Sequence, residues 1–393
     1  IGFGAPTKQG TSATHGSPLG AEEIAGARKA LGWDYPPFVV PDEILSAWRA
    51  SGSRGASLRK DWEKRLAASS HKAEFNRITS GTLPANFDEV VATYKKELAK
   101  NPPWIATRNA SQNALDVINA AVPETIGGSA DLTGSNNTKS KDMKALNAAD
   151  YGARYVYYGI REHAMGGIMN GIALYGGLIP FGGTFMTFSD YMRGAVRLAA
   201  LSNAQVIFVF THDSIGLGED GPTHQSVEHI TALRAIPHLT VIRPADAHEV
   251  REAYRIAIKN QKSPTALALS RQNVAVIDRE NFASAEGTQK GGYILAEASN
   301  NEPQIIIVAT GSEVGLAINT REQLESENIP TRVVSMPCRK LFYEQSKAYQ
   351  AEVLPENITA RLVIEAGVRM GWEGIIGKDG DAITVDKFGA SAP

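Results

Sequence analysis

Two histidines and three carboxylates stand in one fifteen-residue stretch, Thr211–Gln225 (THDSIGLGEDGPTHQ), among Gly216, Gly218 and Gly221. His212, Asp213, Glu219, Asp220 and His224 are residue types that move protons, hold hydroxyl groups or ligate metals. No pair of histidines at helical i,i+4 and no Cys-x-x-Cys occurs here, so recognition of a polar ligand is a better reading than a metal site. The glycines let the backbone turn tightly or approach a ligand. Glu162 is a second candidate. It sits in Arg161-Glu162-His163, at the start of a helix that carries Gly166, Gly167 and Gly171. Such glycines cost helix stability unless something packs close to them, so a carboxyl at this point is expected to be buried and to hold or share a proton.

Phe185, Phe188 and Tyr191 fall three apart in FGGTFMTFSDYMRGAVR. On a helix they would share one face, either as core or as the wall of a flat heteroaromatic ring. Arg108, Ser135 and Arg271 have the character of anion contacts, since a guanidinium grips phosphate through two parallel hydrogen bonds.

The elements that must position these residues read as alternating strand and helix from about residue 100. Val206–Phe210 (VIFVF) is a continuous β-branched and aromatic run, expected of a strand buried on both faces, and it points into the Thr211–Gln225 loop. Tyr155–Ile160, Leu239–Ile242 and Ala266–Ser270 are further strands. Asp246 reads as a helix N-cap with Glu249 three residues on, followed by Val250, Ala253, Tyr254, Ala257 and Ile258 at helical spacing. This alternation predicts an α/β fold with a parallel sheet covered by helices on both faces. In such sheets ligands gather beyond the carboxyl ends of the strands. Residues 281–292 read as a linker into a smaller α/β domain with strands at Ile305–Thr310 and Thr331–Ser335 and a helix over Val314–Glu325. Before all this, residues 1–20 read as loop, Pro41–Trp48 as a short helix, and 57–79 as one charged helical stretch.

At 393 residues, 43% of them hydrophobic, the chain can hold two or three domains. A formal charge of −2 gives no footprint for nucleic acid or anionic membranes, though local basic pockets remain possible. The one cysteine, Cys338, is expected to be a partly buried hydrophobe rather than a reactive thiol, and nothing points to an oxidising compartment.

HGSPL at 15–19, GGSADLTGSN at 127–136, GIREHAMG at 159–166, PFGGTF at 180–185, THDSIGLGEDGPTHQ at 211–225, LSRQN at 269–273 and FGASAP at 388–393 follow one another in the order seen in one family. The chain resembles transketolases, thiamine-diphosphate enzymes that transfer a two-carbon ketol unit from a ketose phosphate to an aldose phosphate through a carbanion on the cofactor. The resemblance implies that Glu162 hydrogen-bonds N1′ of the aminopyrimidine and favours its imino form. It implies that Phe185, Phe188 and Tyr191 surround the pyrimidine, with Asp131 and Leu132 near the cofactor. Arg108, Ser135, His212 and Arg271 resemble the sugar-phosphate clamp, and Asp220 a group that recognises a substrate hydroxyl. His224 and His15 resemble histidines that contact the reacting end of the sugar and move protons, and His15 is also close to the cofactor.

By the same resemblance, residues 1–98 are the tail of a diphosphate-binding domain with a helical linker, 99–284 a pyrimidine-binding domain, and 285–393 a truncated carboxyl-terminal domain. The family's Gly-Asp-Gly followed by Asn does not occur in the chain, so the ligands of Mg²⁺ or Ca²⁺ are expected in a missing amino-terminal domain, with no metal ligands here. The implied partners are sugar phosphates and a second copy of the chain, or a complementing amino-terminal domain, with neither nucleic acid nor membrane, in the cytoplasm. Dihydroxyacetone synthase is similar enough to stay open. Deoxyxylulose-phosphate synthase shares GxDGPTHQ but not Thr211-His212-Asp213-Ser214. A non-catalytic dimerisation fragment is the reading outside enzymes.

Overall fold

The computed structural model describes residues 1–391; Ala392 and Pro393, the end of the FGASAP motif, lie outside the described residues. The chain divides into two units, one ending at Glu74 and the other starting at Phe75. The first opens in turns with one short 3-10 helix (Ser12–Thr14), then forms α1 (Ala21–Ala30), α2 (Asp42–Ser53), α3 (Ala56–Ala68) and the beginning of α4 (Lys72–Thr79). The single charged helix expected over 57–79 is therefore two. The break has a local cause: the Ser69 hydroxyl accepts the His71 N–H (3.1 Å), offering the backbone an alternative to the helical bond.

The second unit begins with α5 (Phe87–Lys100), α6 (Thr107–Ala121), β1 (Thr125–Ser129), α7 (Thr133–Asn136), β2 (Tyr155–Tyr157), α8 (Glu162–Tyr175), β3 (Ile179–Phe185) and α9 (Ser189–Leu201). It continues through β4 (Ile207–Thr211), α10 (His229–Arg234), β5 (Thr240–Ile242), α11 (Ala247–Lys259) and β6 (Thr265–Leu269). These six strands form one sheet in the order β2-β1-β3-β4-β6-β5, every pair parallel.

The predicted VIFVF strand explains how both faces are covered. Ile207 and Val209 point into a core with α5, α6 and α11, while Phe208 and Phe210 point into the other, with α8, α9 and α10. Fully burying each phenyl ring contributes about 1.5–3 kcal/mol. Asp246 caps α11 as predicted, its carboxylate accepting the Glu249 N–H at 2.8 Å. Glu249 returns the arrangement by accepting the Ala245 N–H (2.8 Å).

A second sheet follows: β7 (Tyr293–Ala296), β8 (Ile305–Ala309), α12 (Glu313–Ser326), β9 (Thr331–Ser335), α13 (Arg339–Tyr343), α14 (Lys347–Val353), β10 (Arg361–Ile364), α15 (Glu373–Ile376) and β11 (Asp381–Ile383). Its order is β11-β10-β8-β9-β7, parallel except for β7 against β9. The linker expected at 281–292 is packed structure. Ala285–Lys290 form a 3-10 helix with Ala285 and Thr288 buried, and a Cβ at Gly291 would come within 2.3 Å of backbone at Cys338 and Phe342. Cys338 is free and fully buried, where only partial burial was expected. No described helix is long and apolar enough to cross a membrane.

Candidate active site

β1 and β3 are neighbours in the sheet, while the chain leaves β1 for β2 on one side and reaches β3 on the other. The crevice beyond their carboxyl ends is the topological switch point where such sheets bind ligands. Glu162, the first residue of α8, is 6% exposed and accepts a hydrogen bond from the Thr184 hydroxyl near the end of β3 (3.2 Å). The expected burial of this carboxyl holds. Its assumed cause holds in part: a Cβ at Gly166 would lie 2.7 Å from that of Ala195, whereas Gly167 and Gly171 have nothing within 4 Å and face outward.

Phe185, Phe188 and Tyr191 do not lie on one helix. Phe185 ends β3, Phe188 closes a 3-10 turn and Tyr191 belongs to α9, because Phe185 is still extended (φ −69°, ψ 151°). The corner nevertheless gathers them: Phe185 and Phe188 stack at 5.6 Å and Phe188 meets Tyr191 at 5.7 Å. His212 packs on Phe185 with ring centroids 3.9 Å apart, and His224 stands edge-on to Phe188 at 5.3 Å.

His212 takes a left-handed backbone (φ 59°) just past β4 and is buried. Ser129 donates to Asn136 Oδ1 (2.9 Å), Asn136 donates to the Thr211 hydroxyl (2.7 Å), and that hydroxyl lies 2.9 Å from His212 Nδ1. Having accepted from Asn136, Thr211 can give its own hydrogen to Nδ1, which leaves the ring proton on Nε2. Burial first, then the positive charges of Arg108 and Arg271, push His212 down to about 3, so the ring is neutral at physiological pH.

Arg108 is set by α6, whose start is tied to the end of β6: Thr107 N–H donates to the Ser270 hydroxyl (3.0 Å) and Ser270 N–H to the Thr107 hydroxyl (2.7 Å). Its guanidinium donates to the Ser135 carbonyl (2.8 Å), while its buried Nε has no partner. Arg271 follows the same junction, with only the exposed Glu219 at 3.9 Å. The edge thus presents two cations flanking a neutral imidazole. Asp131 (φ 62°), Leu132 and Ser135 occupy the turn after β1 at the same edge. Asp220 is exposed in a short 3-10 turn, Gly218–Asp220. Gln225, just after His224, donates to the Ala390 carbonyl (3.1 Å), so the carboxyl-terminal segment seats on this loop. His15 is exposed in the first unit.

Arg243 is a residue that sequence reasoning missed. Its side chain, 1% exposed, donates to Asp213 (2.8 Å), to the Thr310 carbonyl (2.9 Å) and to Glu313. It fixes the residue after His212 to the second sheet. A lone Arg after a short strand gave no signal for this. Among the described residues one group, Asp190, Glu228 and His229, brings ligating atoms within 4.8 Å of one another. A nitrogen between two exposed carboxylates does not fit the all-oxygen shell of Mg²⁺ or Ca²⁺.

An acid, an aromatic wall and flanking cations at a parallel-sheet switch point define a pyrimidine-binding α/β domain of the thiamine-diphosphate class. Residues 104–276 match the transketolase pyrimidine binding domain, 291–393 the transketolase-like carboxyl-terminal domain, and 1–84 the transketolase thiamine diphosphate binding domain. The chain belongs to the transketolase family. It is 49% identical over its whole length to a transketolase of Cereibacter sphaeroides, of which it covers 59%, and 46% identical to a chloroplastic transketolase of Craterostigma plantagineum, of which it covers 76%. A transketolase structure from Leishmania mexicana superposes with a TM-score of 0.89 at 41% identity, covering all of this chain and 57% of that one. The chain therefore spans about three-fifths of the length of most of these relatives. Sequence from all three domains is present, and the expectation that the diphosphate-binding domain is largely missing finds no support in these matches.

Proposed function

We propose that the chain is the pyrimidine side of a transketolase active site that passes a two-carbon ketol unit from a ketose phosphate to an aldose phosphate. The observation that carries this reading is the run Thr184-Phe185. Thr184 holds buried Glu162, and Phe185 packs against a neutral His212 flanked by Arg108 and Arg271. The residues present fit an aminopyrimidine: one shielded carboxyl, and flat apolar walls from Phe185, Phe188 and Tyr191. Thiamine diphosphate supplies, when bound, the nucleophilic carbon that the side chains lack.

In this reading Glu162 holds a proton at the pyrimidine N1′, and Asp131 and Leu132 border the same ring system. Arg108 and Arg271 bind the phosphate of the sugar, with Ser135 orienting Arg108. The unpartnered Nε of Arg108 suits an anionic ligand nearby. His212 presents its Nε2–H to substrate oxygen, and Asp220 accepts from a sugar hydroxyl. His224 and His15 move protons at the reacting end. The diphosphate and its Mg²⁺ or Ca²⁺ are held by residues outside these 393, since the Gly-Asp-Gly…Asn pattern does not occur among them. The working assembly is a homodimer or a complex with such a complementing domain. We assign boundaries at 1–98, 99–284 and 285–393, and a cytoplasmic setting in keeping with a buried, free Cys338.

The test is two-carbon transfer to ribose 5-phosphate, with formaldehyde as the competing acceptor, in the complete protein. Glu162→Ala is expected to lower kcat by at least about a hundredfold, the scale of one lost acid–base group, while leaving the thermal transition in place. Near-normal turnover in a folded Glu162→Ala variant removes the N1′ role, and a preference for formaldehyde reassigns the acceptor.

A further inference from the structure

A second cationic cavity, of about 230 Å³, lies away from this edge, where Leu239 and Val241 at β5 meet α13. All strands of the first sheet run parallel, and Thr240 pairs with Thr265 at the amino end of β6, whereas Arg271 follows its carboxyl end. The cavity is thus on the opposite edge of the sheet, at least a strand length, roughly 15 Å, from the sugar-phosphate clamp.

Its charges are not all in ion pairs. Arg234 is neutralised: its two terminal nitrogens donate to the two oxygens of Glu365 at 2.8 Å each, and Glu365 also accepts from Trp372 Nε1 (2.7 Å). Arg339 is different. It lies over the Trp372 ring, 4.7 Å from the centroid, and donates to the Gly371 carbonyl, but no described carboxylate forms an ion pair with it. The nearby acids are engaged elsewhere, Glu365 by Arg234 and Glu373 by the Gly371 N–H (2.8 Å). Burial first, then the charge of Arg234, push Arg339 down to about 10, against the opposing pull of Glu365 and Glu373. Lys340 adds a second positive charge at the mouth, shared with Glu344 (2.9 Å) on the outside. Tyr343 lines the wall, and burial raises its hydroxyl above the usual range, so it stays a neutral donor. Leu239 and Val241 make the floor apolar.

A guanidinium fork, an ammonium and a phenol around a small cavity are donors without acceptors, which suits a tetrahedral oxyanion. The volume is below that of a pocket for a drug-sized molecule and leaves room for phosphate with a short carbon chain. We propose that this cavity binds inorganic phosphate or a small phosphate monoester at a site separate from the sugar-phosphate clamp. Bound there, the anion bridges α13 of the second sheet and the end of α10 in the first, and raises the thermal transition of the unit they share.

The experiment is calorimetric titration of the full chain carrying Arg108→Ala and Arg271→Ala, so that neither cation of the clamp contributes, first with inorganic phosphate and then with glycerol 3-phosphate. One saturable site is expected, with a concentration-dependent rise in Tm. Adding Arg339→Gln weakens it about tenfold or more, the scale of one charge-assisted contact to an anion, while Arg339→Lys loses less. Lys340→Gln, at the exposed mouth, serves as a second variant and is expected to weaken binding several-fold. Tighter binding of the ester marks an ester site, and equal binding a phosphate site. Absence of a saturable site, or affinity unchanged in folded Arg339→Gln and Lys340→Gln variants, overturns the proposal. Because the readout is binding at Arg339 and not turnover, its failure is separate from failure of the transferase reading.

Discussion

At the scale of single residues, His212 is the most constrained member of the edge. Its backbone is left-handed with the carbonyl accepting from the Ser226 hydroxyl (3.2 Å), its ring is oriented by the Ser129–Asn136–Thr211 chain of hydrogen bonds, and the ring is neutral because burial and two arginines oppose protonation. Folded His212 takes up a proton only near pH 3, whereas in the unfolded chain it does so near 6.5. Between those values the unfolded state binds more protons, so stability rises with pH. The contribution is full above about 6.5 and is lost as pH falls toward 3. Urea unfolding of wild type and His212→Gln at about pH 7.5 and about pH 4.5 is expected to show the wild-type advantage shrinking at the lower pH. An advantage independent of pH would mean that folding leaves the protonation of His212 unchanged. Nitrogen NMR should find the proton on Nε2. Arg271→Ala, in turn, is expected to raise KM for phosphorylated donors about tenfold or more and to leave unphosphorylated ones nearly unchanged; equal losses would separate Arg271 from phosphate. Residue types and spacing made Glu162, His212 and Arg271 legible in the sequence. The backbone state of His212 was not, since nothing in Thr-His-Asp specifies positive φ. Arg339 was not, because its lack of a counterion depends on where Arg234, Glu365 and Glu373 end up after folding.

At the scale of elements, patterns within one segment were readable and pairings between segments were not. The VIFVF strand and the Asp246 cap of α11 follow from neighbours along the chain, and both are present. The aromatic corner was expected on one helix and instead spans the end of β3, a 3-10 turn and α9, because a three-residue spacing is met by a strand-to-helix bend as well as by a helix. Arg243 illustrates the remainder. Buried between Asp213, Glu313 and the Thr310 carbonyl, it joins the ends of β4 and β5 to the first turn of α12. Removing the cation strands the carboxylates of buried Asp213 and largely buried Glu313 without a partner charge, so Arg243→Ala is expected to cost about 3–5 kcal/mol in urea unfolding. Replacing the whole group with apolar residues of similar size is expected to be far milder, since the desolvation cost of the charges disappears with them. A loss below about 1 kcal/mol for Arg243→Ala would show that solvent reaches the cluster. Because Asp213 adjoins His212, the same variant should also weaken substrate binding without any contact to substrate.

At the scale of the whole molecule, the outer side of the α8–α9 pair is the feature that the fold of one copy leaves unexplained. Ile160, Ile168, Leu174 and Tyr175 beside α8 and along it, and Tyr191, Leu198 and Leu201 along α9, are all exposed. Gly167 and Gly171 stand between them with open space where a side chain would be. Part 160–175 of the sequence, read on its glycines as tightly packed, is thus tightly packed on one side only, against Ala195 and Met192 through Gly166. Exposed apolar residues on two adjacent helices, with small residues that admit close approach and exposed Arg193 and Arg197 beside them, have the composition of an interface core. The homodimer proposed above would cover it and would shield the outer approach to Glu162, which starts the same helix. Ile168→Glu with Leu198→Glu places two charges in that core. The pair is expected to raise the dimer dissociation constant by at least about a hundredfold, seen as a halved mass in sedimentation equilibrium, with little change in helix content. Both side chains are exposed within a single copy, so any loss of mass reports on association rather than folding. Retention of the wild-type mass at equal concentration would place the contact between copies on another face.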